Sequence, residues 1–306
     1  MFVSKFSTLS DKLSSLLDSG YVTIIHYTRF EMGFLNKLYG KENTEKTIHI
    51  DKTCDQHQQK WEFYFSYIDD KPGYIFVDLG LYGIAPIVEK PNIVWVSVKM
   101  KKPTEKGLSS NEESKLLWTI ENELVENMVA KHGSVYTGRI TSAGYRHFYF
   151  HLGDHTLYDK TISDVMIAFP IYEFDFGIKE DREWYGYLNL LYPNPAQFQS
   201  IQNRHVIDQL EEAGDSLIKP REVFHWIYFR SDIDREKYLD KIKRDGFSVV
   251  DKYIDKSWGE FAYSLQIKRF DKVDHNSVDE YVIYLWELAN KLNAEYDGWE
   301  TSVEED

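Results

Sequence analysis

Histidine, cysteine and carboxylate side chains are the groups here that could do covalent or acid–base chemistry, and their spacing sets how far it can be carried. His147, His151 and His155 recur every four residues, the interval at which successive turns of a helix aim imidazoles at one ion. Phe148, Phe150 and Leu152 alternate through the same run, which predicts a strand. On one face of a strand His147 and His151 would stand about 13 Å apart at ~3.3 Å per residue, too far to share an ion at ~2 Å ligand distances. No metal is expected. His225, flanked by Phe224 and Trp226, could act as a general base, and with Arg139 and Arg146 it defines a candidate site between two domains for a hydrolase or small-molecule-binding enzyme. No serine or cysteine nucleophile motif accompanies it, so packing or a hydrogen bond on a sheet is the competing expectation. Cys54, the single cysteine, excludes an internal disulfide framework and a cysteine-rich zinc site, and it has no partner motif beyond the nearby His57. Gly80-Leu81-Tyr82-Gly83 and the stretch from Gly138 to Gly144 lack the spacing and lysine of a phosphate loop. No cofactor is expected.

Recognition chemistry is better represented. Glu295-Tyr296-Asp297-Gly298-Trp299-Glu300-Thr301 sets two large aromatics around a turn-forming Asp-Gly pair, with carboxylates beside them. Glu295, Tyr296, Asp297, Trp299 and Glu300 are the candidate partner-binding residues, since interface anchors are often Trp and Tyr. The same rings could instead close a core from an edge strand, and the two readings are compatible. With 36 basic and 50 acidic residues the formal charge is −14. Such a surface repels a phosphate backbone and suits a basic protein partner, although acidity is also an ordinary solubility device. Trp226, Tyr228, Phe261 and Tyr263 invite comparison with an RNA-stacking sheet, but such a platform needs a basic surround, and the chain finishes Glu304-Glu305-Asp306. Direct nucleic-acid binding is not expected.

These residues need elements to hold them. At 306 residues, 42% hydrophobic and 16% aromatic, the chain has material for two domains rich in strands. An N-terminal segment, residues 1–59, is predicted to be short and mixed: a helix from Ser10 to Gly20, a strand from Tyr21 to Tyr27 and a helix around Phe30 to Leu38. A domain over 60–215 follows. It has strands at Tyr74 to Leu79 and Ile93 to Met100, a helix opened by the Ser110-x-x-Glu113 capping box, and a hairpin, Ser134 to Thr141 and Tyr145 to Leu152. A helix from Leu157 to Phe169 and a second hairpin, Tyr172 to Ile178 and Trp184 to Leu191, come next, and Asn194-Pro195 opens a helix ending at Gly214. Gly214 to Pro220 reads as the junction, and 220–306 as a second domain. There, strands at Val223 to Arg230, Phe247 to Tyr253, Phe261 to Phe270 and Glu295 to Val303 surround helices at Asp234 to Asp245 and after a Ser277-x-x-Glu280 capping box. The fold class is therefore α+β, two ferredoxin-like βαββαβ units with antiparallel sheets. The N-terminus lacks the apolar core of a signal peptide, and no run reaches the roughly 18 apolar residues of a membrane span, which gives a cytoplasmic expectation. Oligomeric state stays open.

The C-terminal portion, about Arg221 to Asp306, resembles the regulator of ribonuclease E activity B family, the ribonuclease E inhibitors. Glu295-Tyr296-Asp297-Gly298-Trp299 matches that family's signature after its last helix, and Phe229, Asp245-Gly246-Phe247 and Leu288-Ala289 fit weaker positions. Roughly Lys60 to Asp215 resembles domain of unknown function 695 through Trp61, the run ending in Glu112, Gly138-Arg139, Arg146-His147-Phe148-Tyr149-Phe150 and Tyr192-Pro193. No activity comes with that name. The resemblance implies a non-catalytic regulator that binds a ribonuclease by protein contact, and the added N-terminal domain leaves the target's identity open. Within the same class, an immunity protein against a toxin nuclease fits the acidity equally.

Overall fold

The computed structural model describes residues 57–304, so the helices and strand read before Gly40, and Cys54, lie outside the described residues. The described chain falls into two compact units, 57–197 and 198–304. Among the described residues no helix is long and apolar enough to cross a membrane.

The first unit opens with a hairpin, β1 (Trp61–Ile68) and β2 (Lys71–Asp78). Asp69 and Asp70 both take positive φ, 48° and 62°, the turn whose twist matches that of paired strands. Then come β3 (Asn92–Lys99), α1 (Asn111–His132), β4 (Val135–Ser142), β5 (Tyr145–Leu152), α2 (Tyr158–Met166) and β6 (Phe174–Glu180). The antiparallel sheet runs β1-β2-β4-β5-β3-β6. The last six elements form the βαββαβ unit read from the sequence, and β1–β2 is added on its β4 edge. Leu117, Ile120, Leu124 and Met128 of α1 are fully buried with Val94, Val96, Phe148 and Phe150 of the sheet. Ser110 caps α1 by accepting from the Glu113 N–H at 3.3 Å, but the Glu113 carboxylate does not complete a capping box. It accepts instead from the backbone N–H groups of Lys101 and Lys102.

Two expectations change here. Trp61 to Ile68 is a strand that the sequence reading did not assign, and Trp184 to Leu191 is not a strand. Gly186–Leu191 is a π-helical turn. Trp184 just before it and Tyr187 and Leu191 within it are buried at helical intervals, and Asp181 accepts from the Tyr185 and Gly186 N–H groups at 2.8 and 2.9 Å to start it.

α3 (Pro195–Glu212) begins with a reciprocal cap in which the Asn194 and Gln197 side chains each accept the other's N–H. The second unit continues with β7 (Arg221–Phe229), α4 (Asp232–Ile242), β8 (Ser248–Ile254), β9 (Tyr263–Asp271), α5 (His275–Lys291) and β10 (Glu295–Thr301). Its sheet order is β10-β7-β9-β8. Numbered within each βαββαβ unit, both sheets read 4-1-3-2, the ferredoxin-like arrangement. α5 starts three residues before the predicted capping box: Asp274 accepts from the Ser277 N–H, and Ser277 sits inside the first turn. Val206, Ile207 and Leu210 of α3 pack in one core with β7, α4, β9, α5 and β10.

Candidate functional site

The terminal motif forms β10, an edge strand paired only with β7 among the described strands. Tyr296 and Trp299 are three residues apart, which strict alternation would send to opposite faces. The register shifts between Tyr296 and Gly298: Tyr296 faces Ile227, Gly298 faces Trp226, and Trp299 faces His225. Asp297 is the extra residue of a β-bulge, and Gly298, at φ +140°, adopts backbone that L side chains rarely take. The bulge brings both rings to the helix-packed face, where Tyr296 is 1% and Trp299 6% exposed. The Asp-Gly pair is thus the device that buries the aromatics on either side of it.

Polar atoms of the two rings are satisfied inside. The Trp299 indole N–H donates to Asn203 Oδ1 at 3.0 Å, and Asn203 Nδ2 donates to Asp279 at 2.8 Å. Tyr296 Oη and His225 Nδ1 share a hydrogen bond of 2.8 Å. Burial, reinforced by the nearby Arg269 charge, pushes the His225 imidazole down to about 3, so it is neutral near pH 7. Glu295 is buried, while Asp297 and Glu300 remain half-buried at the edge. Of the five candidate partner-binding residues, only these two carboxylates combine charge with solvent access.

Just beyond β10, the buried Arg221 pairs with Asp215 and donates to the Ser302 carbonyl, and the Glu304 N–H donates to Asp215 at 2.9 Å. Burial alone would raise the Asp215 carboxyl, but the bonds from Arg221 and from the Glu304 and Leu217 N–H groups outweigh it and bring it to about 2. The sequence reading missed this clamp because its members are far apart in the chain.

The two units match two different families. Residues 59–192 match Family of unknown function (DUF695), and residues 200–301 match Regulator of ribonuclease activity B. No curated protein matches the chain. A crystal structure of an unknown protein from Galdieria sulphuraria covers 69% of this chain and 98% of that chain at 9% identity. Its TM-score is 0.20, and at that value it carries no inference about fold or function. The regulator match spans β7 through β10 and most of α3, so the bulged strand lies inside it.

Within the segment matching the family of unknown function, Arg139 and Arg146 are engaged by their own unit. Arg139 pairs with Glu121 and lies 4.1 Å over the Phe76 ring. Arg146 is buried and donates to Thr141 and Ser109; burial, then the Arg139 charge, lowers it to about 10. His225, in the regulator-matching segment, is fully buried, which closes it to a substrate. His147 Nδ1 bonds Ser97 Oγ at 2.7 Å, and His151 Nε2 lies 3.2 Å from Asp181 with Trp184 stacked on its ring at 4.0 Å. These histidines are held by neighbouring side chains rather than by one another, and His57 pairs with Asp78 at 2.9 Å. Asp208, Glu211 and His275 have ligand atoms all within 4.8 Å of one another. They come from α3 and the start of α5, so no sequence interval announces them.

Proposed function

We propose that this protein is a non-catalytic regulator, acting in the cytoplasm, that binds a ribonuclease or a similar basic protein and modulates its activity by contact. The observation that carries the reading is the match of residues 200–301 to Regulator of ribonuclease activity B, over a unit whose terminal strand is built by the Tyr296-Asp297-Gly298-Trp299 bulge. Asp297 and Glu300 are the contact residues in this reading. Glu295, Tyr296 and Trp299 act beneath them, fixing the edge strand from the core. Carboxylates on a rigid edge complement a cationic RNA-binding surface and speed encounter with it.

The test is capture of the tagged full-length protein from its own cells, identification of the retained protein, and assay of that protein's nuclease activity with and without the regulator. Double charge reversal, Asp297→Lys with Glu300→Lys, is expected to slow association about tenfold at low salt while leaving the melting temperature nearly unchanged. Retention of a toxin nuclease would mark the protein as an immunity protein. If the double variant binds and inhibits like wild type, this edge is not the contact surface.

A further inference from the structure

Helix α1 carries a second, partly exposed stripe beside its core-facing one. Leu117, Ile120, Leu124 and Met128 pack on the sheet. One step round the helix, Trp118, Glu121, Asn122, Val125 and Glu126 line a groove of about 520 Å³. Its other wall is Trp61, Phe76, Tyr136 and Arg139, from β1, β2 and β4, where the added hairpin carries the sheet past the helix. Trp118 is 61% exposed, an unusual position for so large an apolar ring. The aromatic wall is ordered: Trp61 stacks on Phe76 with centroids 4.8 Å apart and planes 8° from parallel, and Tyr136 lies 5.4 Å from Trp61.

The polar groups decide what fits. Glu121 is only 4% exposed; its Oε1 accepts from Tyr136 Oη at 2.8 Å and from Arg139. Its Oε2 is buried with no hydrogen-bond partner among the described residues, an arrangement that costs desolvation without compensation. Glu126 is exposed and has no ion-pair partner among the described residues. The groove already holds one guanidinium in the manner it favours, since Arg139 stacks on Phe76 while bonding Glu121. A purely apolar occupant would leave the Glu121 oxygen unpaired. An anion, including the phosphates of a single-stranded nucleic acid, would meet two carboxylates, and the lining cation, Arg139, is already bonded to Glu121. A planar cation with several N–H donors meets both the aromatic faces and the free acceptors.

We propose that this groove is a binding site for an arginine side chain within an extended basic segment of a protein partner, held between Trp118 and Trp61 and bonded to Glu121 and Glu126. The inference does not rest on the ribonuclease reading, which concerns the other unit.

The experiment titrates the full-length protein by calorimetry with a five-residue acetylated and amidated peptide carrying two arginines among alanines, and with the same peptide bearing citrulline, its neutral isostere, in their place. The arginine peptide is expected to bind at least tenfold more tightly than the citrulline peptide and to weaken as salt rises. Trp118→Ala is expected to reduce affinity about tenfold with an unchanged melting temperature, and Glu126→Gln about threefold. The double variant Asp297→Lys, Glu300→Lys retains the peptide, which separates this site from the edge of the other unit. Equal binding of the two peptides, no binding of the arginine peptide to wild type, or wild-type affinity in Trp118→Ala overturns the proposal. So does a dimer that Trp118→Ala converts to monomer, which would give the groove to a second copy of the chain.

Discussion

The two units wind the same 4-1-3-2 sheet under two helices and then treat their large aromatics in opposite ways. In the second, a strand is bent by one residue so that Trp299 enters the core and even its indole N–H finds a partner, Asn203. In the first, two strands are added past the reach of α1, and Trp118 is left beside an aromatic wall with most of its surface in water. A shared topology therefore says nothing about where the sticky surface is. What decides is whether the added chain folds back under the helices or runs beyond them.

The strongest way to break this comparison is to remove the element that completes the second core. Val206, Ile207 and Leu210 are fully or almost fully buried in that core, and Asn203 bridges Trp299 to Asp279. A fragment of residues 194–306 is expected to melt cooperatively, whereas 220–306, lacking α3, is expected to give a broad, non-cooperative transition by circular dichroism. Equal cooperativity in the two would make the boundary near Pro220 a sufficient one. The next effect is set by the two tryptophans themselves. Trp299→Ala is expected to cost about 3–5 kcal/mol in denaturant unfolding, and Trp118→Ala less than about 1 kcal/mol. Similar losses for both would erase the distinction between core ring and surface ring.

Acid sensitivity gives a smaller contrast. The His225 value of about 3 lies below the 6.5 of a free histidine, so the unfolded chain takes up a proton first as pH falls. Stability from this group is complete above about 6.5 and is lost progressively toward about 3, by up to ~1.4 kcal/mol per pH unit. Burial lowers His151 in the first unit too, but its bond to Asp181 opposes the shift. Melts between pH 7 and 4.5, above the range where Asp215 titrates, are expected to fall more steeply for wild type than for His225→Phe. A slope unchanged by that substitution would remove His225 as the cause.

Much of the architecture was legible because its signals are local. Ser110 capped α1 as its sequence indicates, Asn194-Pro195 opened α3, and the two βαββαβ orders emerged from alternation and breakers. The run from Trp184 to Leu191 misled because its strand-forming residues are spaced for a helical face, and the start of α5 shifted because Asp274 caps it ahead of Ser277. The terminal motif was readable as letters but not as a face. A one-residue bulge reverses the side on which Trp299 falls, and the Asp-Gly pair was the available sign of it. The groove left no local trace: Trp118 falls one step off the core-facing stripe of Leu117, as an ordinary surface residue would, and the aromatic wall opposite it comes from β1, β2 and β4, distant in the chain.

The clamp of Arg221 and Asp215 on the Ser302 carbonyl and the Glu304 N–H ties the segment between α3 and β7 to the residues that follow β10. The strands β7 and β10, already paired along their length, are thereby fastened at one end by a buried ion pair as well. Sliding β10 along β7 would strip the Arg221–Asp215 pair of its Ser302 and Glu304 bonds, so the clamp holds the register that the bulge sets.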